Sequence, residues 1–517
     1  MKEQNQGWVT TISLPLPTIQ DNTADADRLI SKLKKQLNTN QIDIDLHLLK
    51  KLPDLIRSCN YKIRCVLFKN YDHWILTGIS GTDDPSTIAG IAVDLGTTRV
   101  VIRVIDLVTG QPLSETSFDN PQISIGADIL TRIHYAASDQ GLNDLNRLII
   151  GKLNEEISTI CHSCNLEPEH IYLMSIAGNT TMTHLFMGIK PHYIIREPYI
   201  PVTNTPDTIE AQKLGILINP SGRVFIFPNI GSYFGGDLIS GILFSRIYQR
   251  EETAILVDVG TNAEVVIGNQ NWLIACAGAA GPALEGGVTK MGMMAGPGVI
   301  DKVKIDPVTR EITIHTIDNA PPIGICGSGL IDLAAQLFLS GMIDIRGKLN
   351  PSEAGSHIKE TVHGLSFTLV PGRESGTKQD LTIHQTDLDS LSRSKAAMYT
   401  ILETISASVG VDLRELSTFY VAGTFGSFID PKSAISIGML PDLAIENYIV
   451  LGNSSLEGAS ILLSDQHAMD EVSRIKDRIT YMELNVNQDF MNRFSAAKFF
   501  PHTDTSLFPS VKIHSMV

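Results

Sequence analysis

Cysteine is scarce in this chain, with six in 517 residues. That number, scattered along the sequence, does not make a disulfide framework and fits a reducing compartment. Long apolar runs are missing too. No stretch reaches the roughly 18 residues that a membrane span requires. The N-terminus, MKEQNQGWVTTISLPLP, lacks the apolar core of a secretory signal. The expectation is a soluble, cytoplasmic protein with no membrane contact. Charged residues reach only 19%, yet hydrophobic residues reach 43%, so the chain is not a disordered one. Positive charge is in deficit: 41 Lys and Arg face 56 Asp and Glu, for a net charge of −15. A binder of nucleic-acid backbones needs clustered basic residues, so nucleic acid is not an expected partner. A single nucleotide is not excluded, because backbone N–H groups can hold its phosphates. Two common nucleotide signatures are absent, G-x-x-x-x-G-K-[ST] and a G-x-G-x-x-G following a strand.

What is present divides into three blocks, in line with a length of several domains. Residues 1–88 read as a small α+β unit. Ala24–Leu37 has helical spacing, with Leu29, Ile30, Leu33 and Leu37 on one face. A second helix is expected from Asp43 to Cys59, then a strand pair at Lys62–Phe68 and Trp74–Ile79. Residues 80–86 read as a linker by composition. Residues 89–250 and 251–517 read as two lobes, because one strand–turn–strand unit occurs in each. Ile88–Val93 runs into Asp94-Leu95-Gly96-Thr97-Thr98 and then Val100–Ile105. Ala254–Val257 runs into Asp258-Val259-Gly260-Thr261-Asn262 and then Ala263–Ile267. Helices are expected at Gly126–Ser138 and Asn143–Cys164, and strands at Ile171–Ile176 and Leu416–Ala422. The fold class is therefore α/β, with a duplicated domain.

A carboxylate at the end of a buried strand is costly unless it meets a cation or donors. The Gly-Thr turn that follows offers successive N–H groups and hydroxyls, the makings of an anion nest. Asp94 and Asp258 can hold a hydrated Mg²⁺ while the turns hold phosphate oxygens. A lone D-x-G-T is a common hairpin turn. Two copies with matched flanks, followed by Gly423-Thr424-Phe425-Gly426 after a third strand, are much harder to read that way.

The order of these three motifs resembles the acetate and sugar kinase, Hsp70 and actin superfamily. More closely, the chain is similar to the ATP-dependent reductive activators of corrinoid proteins. The resemblance lies in GIAVDLGTT (90–98), NPQISIGADILTRI (120–133), AGNTTMTHL (177–185) and ILVDVGTNAEVVIG (255–268). It continues in AGPALEGG (280–287), ICGSGLIDL (325–333), VAGTFGSFID (421–430) and FFPHTDTSLFPSV (499–511). LPLPTIQDNTADADRLI (14–30) resembles that family's linker region.

The resemblance implies a two-lobed, actin-like/Hsp70-like ATPase fold with duplicated mixed sheets and ATP in the cleft between the lobes. It implies an ATPase that drives Co(II) to Co(I) on a separate corrinoid protein of a methyl-transfer system. Asp94, Gly96, Thr97 and Thr98 would form the first phosphate loop, and Asp258, Gly260, Thr261 and Asn262 the second. Asp94 and Asp258 would hold Mg²⁺ through water. Gly423 and Gly426 would lie against the adenosine. Gly178, Asn179 and Thr180 would position the attacking water or the metal.

One feature of that family has no counterpart here. A plant-type iron–sulfur cluster needs C-x₄-C-x₂-C and a fourth Cys, and no subset of Cys59, Cys65, Cys161, Cys164, Cys276 and Cys326 has that spacing. No iron–sulfur cluster is expected in this chain, and electrons would come from a separate low-potential ferredoxin or flavodoxin. Two other functions stay open at this point: an ATP-dependent, chaperone-like partner of a metalloenzyme, and a small-molecule kinase on the same scaffold.

The other motifs read as structural. Cys161-His162-Ser163-Cys164 sits near the end of an expected helix and has no second ligand pair. Asp45-Leu46-His47 lacks the Gly of the corrinoid-binding D-x-H-x-x-G. His134 and His184 read as packed or exposed, Met291, Met293 and Met294 as packing under a loop, and Asp380, Asp387 and Asp389 as a solvated face with the option of capping a helix.

Overall fold

Leu29 and Leu33 lie four residues apart on one face of a helix spanning Asp25–Leu37, and both are buried. Leu48, Leu52 and Ile56 do the same on a second helix, Leu46–Ser58. In this computed structural model of the chain the two helices cover a four-stranded sheet. Its order is Val9–Ser13, Lys62–Asn70, His73–Gly81, Ile42–Ile44. The second helix starts three residues later than the spacing predicts, because Ile42–Ile44 instead pairs in parallel with Trp74–Leu76. The expected linker at 80–86 is tied down. Strand pairing continues to Gly81, and the Arg64 guanidinium donates to the carbonyls of Gly81 at 3.2 Å and Asp84 at 2.7 Å. The structure describes residues 7–512 apart from 71–72, 261, 280–288, 307–308, 362–363, 424–428 and 485–487.

Two six-stranded mixed sheets follow. The first has the order Pro112–Asp119, Arg99–Asp106, Ala89–Leu95, Ile171–Gly178, Arg223–Ile226, Ile209–Glu210. The second contains Leu273–Ala279, Asn262–Gly268, Ala254–Val259, Thr418–Ala422 and Tyr448–Gly452 in the corresponding order, with Ile479–Tyr481 added at the first edge. The directions agree as well. In each sheet the first three strands form an antiparallel meander, and the last two of the shared five add in parallel. The chain is thus α/β, with the same five-strand plan used twice. Ala89–Leu95 and Ala254–Val259 are central and flanked on both sides, which is why they read as continuous apolar runs.

Helix boundaries shift where caps compete. Asp128 accepts from the N–H and hydroxyl of Thr131, so the helix expected from Gly126 begins at Ile129 and ends at Tyr135. Ser138 then caps the next helix, Asp139–Ser163, which starts four residues earlier than expected. Asp387 accepts from the His384 N–H at 2.8 Å and caps Gln385–Ser408. Asp380 and Asp389 pair instead with Lys359 and Lys348. Met291 is core, while Met294 is exposed.

The chain forms two compact units, Met1–Phe244 with Ser454–Arg478, and Ser245–Asn453 with Ile479–Val517. Residues 454–478 therefore fold with the first unit, although sequence order puts them in the C-terminal block. Their helix Ser454–Ser464 packs on the strands Ala89–Leu95, Arg99–Asp106 and Ile171–Gly178. Arg103 anchors it by donating to Glu457 at 2.7 Å and Ser460 at 3.1 Å, while its other contact is Glu115. Trp8, fully buried, donates its indole N–H to the Leu462 carbonyl at 2.8 Å. Helix Gly236–Ser245 crosses so close that a Cβ at Gly458 would lie 2.0 Å from the Ser240 carbonyl oxygen. Gly458→Val is expected to lower stability by about 1–3 kcal/mol through overpacking at that crossing. Urea denaturation checks it, and an unchanged midpoint would refute the close approach.

Candidate functional site

The first loop grows directly out of the sheet. Asp94 is the second-last residue of Ala89–Leu95, set opposite Val101 on one side and Ala177 on the other. Its Oδ1 accepts a 2.8 Å hydrogen bond from the Ser455 hydroxyl, in the first turn of the Ser454–Ser464 helix. Ser455 is itself fixed, its carbonyl accepting from the Ser240 hydroxyl at 2.6 Å. Gly96 turns the chain so tightly that a Cβ there would sit 2.2 Å from the Arg99 carbonyl oxygen.

Three successive carbonyls of this loop are taken by Asn120 and Arg132. Asn120 donates its side-chain amide to Gly96 O at 2.9 Å and its backbone N–H to Thr98 O at 2.8 Å. Arg132 donates to Thr97 O at 2.8 Å. Across a trans peptide the N–H points opposite to the C=O. The N–H groups of Thr97, Thr98 and Arg99 are therefore each turned away from the donor that binds the carbonyl of the same peptide. Asn179 joins the same loop. Its amide donates to the Thr97 hydroxyl at 3.0 Å, and its carbonyl oxygen caps the short helix Thr180–Phe186. Gly178 pairs with Leu95. The structure thus brings Asp94, Gly96, Thr97, Thr98, Gly178, Asn179 and Thr180 together.

The second loop repeats the plan. Asp258 is the second-last residue of Ala254–Val259, opposite Glu264 and Ala422. The Gly260 N–H donates to Asn262 O at 2.9 Å and closes the turn. Gly423 has φ +84°, and a Cβ there would sit 2.6 Å from Asp258 Oδ1 and 2.9 Å from the Val259 carbonyl oxygen. The need for glycine at 423 is thus already met by the approach to Asp258, a reason the sequence did not reveal. Thr261 and Gly426 lie outside the described residues.

Among the described residues, no cluster of three or more His, Cys, Asp or Glu side chains could hold a metal. One carboxylate beside each turn suits a hydrated Mg²⁺ that keeps several waters, rather than an all-protein cage. Cys161 and Cys164 sit at the C-terminal end of Asp139–Ser163, and burial pushes the Cys161 thiol up to about 11, so it is not an activated nucleophile. No helix among the described residues is long and apolar enough to cross a membrane.

Comparison with known proteins gives this geometry a family. Residues 252–512, half of the chain, match the family model for the C-terminal domain of RACo, the ASKHA domain. The chain belongs to the RACo family. Residues 89–250 match the RACo middle region and residues 8–83 the RACo linker region. A corrinoid activation enzyme, RamQ, from Eubacterium limosum is 29% identical over 93% of this chain and 86% of its own. A Methanosarcina barkeri protein named as the reductase of a Co(II) methylated amine-specific corrinoid protein is 24% identical over 78% of this chain and 75% of its own. Among solved structures, a reductive activator for corrinoid, iron–sulfur protein superposes with a TM-score of 0.86 at 38% identity, covering 99% of this chain and 82% of that one.

Three site residues escaped the sequence reading. Asn120 and Arg132 lie in the NPQISIGADILTRI motif, which carried the resemblance but no role. Ser455 is distant in sequence from Asp94, and nothing local to it signals the contact.

Just behind Asn179, His184 is fully buried and bonded at both ring nitrogens. Nδ1 lies 2.7 Å from Thr180 O, and Nε2 accepts from the Val202 N–H at 3.1 Å. Burial pulls its pKa below the ordinary 6.5. Unfolding restores the ordinary value, so the unfolded chain binds the extra proton and stability falls as pH drops below about 6.5. His184→Gln is expected to flatten that loss between pH of about 7.5 and 5.5 in urea titrations. Identical pH slopes in both proteins would contradict it.

Proposed function

We propose that this protein is an ATPase that drives the reductive reactivation of a corrinoid protein, from Co(II) to Co(I). The observation that carries the reading is the repeated Asp-ended strand with its Gly-Thr turn, inside a chain of the RACo family. The relatives named for corrinoid activation and corrinoid reduction support the same substrate.

In this reading residues 1–88 act as a linker unit, residues 89–250 with the returning segment 454–478 as the first lobe, and the rest of 251–517 as the second lobe. Asp94 and Asp258 hold hydrated Mg²⁺, which supplies charge neutralisation on the phosphates. The N–H groups of Thr97, Thr98 and Arg99 bind phosphate oxygens, and the Gly260-Thr261-Asn262 turn is the second phosphate loop. Asn179, held by Thr97, orients the attacking water from the end of its strand, with Gly178 and Thr180 shaping the approach. Gly423 and Gly426 allow the adenosine side close access. ATP is hydrolysed to ADP and phosphate, and the loss of γ-phosphate contacts shifts the population of conformers. One electron per cobalt comes from a separate low-potential ferredoxin or flavodoxin in the cytoplasm.

Asp94→Ala and Asp258→Ala are each expected to abolish ATP turnover and leave the far-UV circular dichroism spectrum unchanged. Normal turnover in both would end the nucleotide assignment. The redox half is tested by mixing the protein with a Co(II) corrinoid protein and a low-potential reductant without oxygen, then recording the visible spectrum. ATP-dependent appearance of Co(I) is expected. Hydrolysis with cobalt held at Co(II) across several donors would leave an ATPase and remove the reductive role.

A further inference from the structure

Arg132 is one of the largest fully buried side chains in the protein. It extends from the helix Ile129–Tyr135, and its guanidinium makes four hydrogen bonds. Nε donates to Gly126 O at 2.8 Å, and Nη2 donates to Thr97 O at 2.8 Å. Nη1 donates to Gln122 Oε1 at 3.2 Å and to Met182 Sδ at 3.3 Å. All four acceptors are neutral. The nearest influence of opposite sign is Asp128, which acts through space while its own oxygens accept from Thr131. Burial pulls the guanidinium down only to about 10, so it stays cationic at neutral pH.

A buried charge without a bonded counter-charge is unfavourable, and an apolar side chain of similar volume would serve packing better. Hydrogen-bonding to Thr97 O alone does not require a charge, since Asn120 performs the same task on Gly96 O with a neutral amide. The position of the charge is what distinguishes Arg132. Its guanidinium is buried and bonded to the Thr97 carbonyl at 2.8 Å, on the side opposite that peptide's N–H, so its field adds to that of the N–H dipole.

We propose that Arg132 is a positioning residue of the first phosphate loop, whose buried positive charge, completed only by a bound polyphosphate, raises the loop's affinity for nucleotides in proportion to their negative charge. The proposal rests on the nucleotide reading above and deepens it. It places the missing counter-charge on the ligand and predicts that the site discriminates by phosphate number. Asn120 and Gln122 complete the device. Gln122 Oε1 accepts from the guanidinium, its amide donates to Leu145 O at 3.0 Å, and the Asn120 side chain accepts from the Gln122 N–H at 3.0 Å. The motif at 120–133 is then a scaffold that carries one cation to the back of the loop and holds it there.

The test is calorimetric binding of Mg-ATP, Mg-ADP, AMP and adenosine to the full chain and to Arg132→Met and Arg132→Lys. Far-UV circular dichroism and thermal melts select the temperature at which each variant is folded. Arg132→Met is expected to weaken ATP about tenfold, ADP less, AMP less again and adenosine hardly at all. Arg132→Lys, which keeps the charge but not the fork, is expected to hold ATP within about threefold of the native protein. If Arg132→Lys loses as much ATP affinity as Arg132→Met, the fork alone matters and the electrostatic role is overturned. ATP affinity unchanged in Arg132→Met overturns it too, with nucleotide binding intact. A native protein that binds none of the four ligands overturns the nucleotide reading and this proposal with it.

Discussion

A carboxylate near the end of a buried strand must be given donors or a cation, and both six-stranded sheets are organised around one such group. Asp94 and Asp258 occupy the same place in the same five-strand plan. Each sits one residue before its strand ends, between an antiparallel hairpin partner and a parallel strand. The surroundings are then adapted to that residue. Ser455 brings a hydroxyl to Asp94, and Gly423, which has no side chain, lets the backbone approach Asp258. The tight turns after each Asp follow from the same demand, because the strand must reverse at once for its partner to pair in register.

Orientation is the second level of control. The first loop has few ionisable side chains of its own, so what it can offer a ligand is chiefly peptide N–H groups. Those groups are useful only if they all face one way. Asn120 and Arg132 constrain them by taking the three consecutive carbonyls of Gly96, Thr97 and Thr98. Asn179 adds a contact from the neighbouring parallel strand, and capping the helix Thr180–Phe186 fixes its own rotamer. The loop is thus held at three carbonyls and at the Thr97 hydroxyl.

Buried basic side chains recur as anchors elsewhere. Lys395 is fully buried, donates to the carbonyls of Phe499 and Pro501, and lies over the Phe500 ring. Burial drives its pKa well below the usual lysine value. Neutral carbonyls and an aromatic face suit either protonation state, and they pin the C-terminal motif at 499–511 to the helix Gln385–Ser408. Arg132 and Lys395 both donate to backbone carbonyls, Arg132 to Thr97 in the first loop and Lys395 to the C-terminal motif.

The repeated Asp-ended strands were legible in the sequence because a buried central strand is a continuous apolar run and a sharp turn needs glycine. Those are local demands, visible within ten residues, and they disclosed the duplicated sheet, the two loops and the family resemblance. Capping was less legible. Asp128 and Ser138 moved helix starts by several residues because several polar side chains compete for the same N–H groups. Three things were decided only by tertiary structure: the Ser455 hydroxyl at Asp94, the Arg132 charge behind Thr97, and Gly423 against Asp258. Each joins residues far apart in the chain, and the return of residues 454–478 to the first unit is what makes the Ser455 contact possible. The spacing of residues was enough to mark the two Gly-Thr turns that follow buried strands, since turn chemistry is local. Only the fold decided which distant side chains reach them, because a hydrogen bond depends on distance in space and carries no trace in the spacing of residues along the chain.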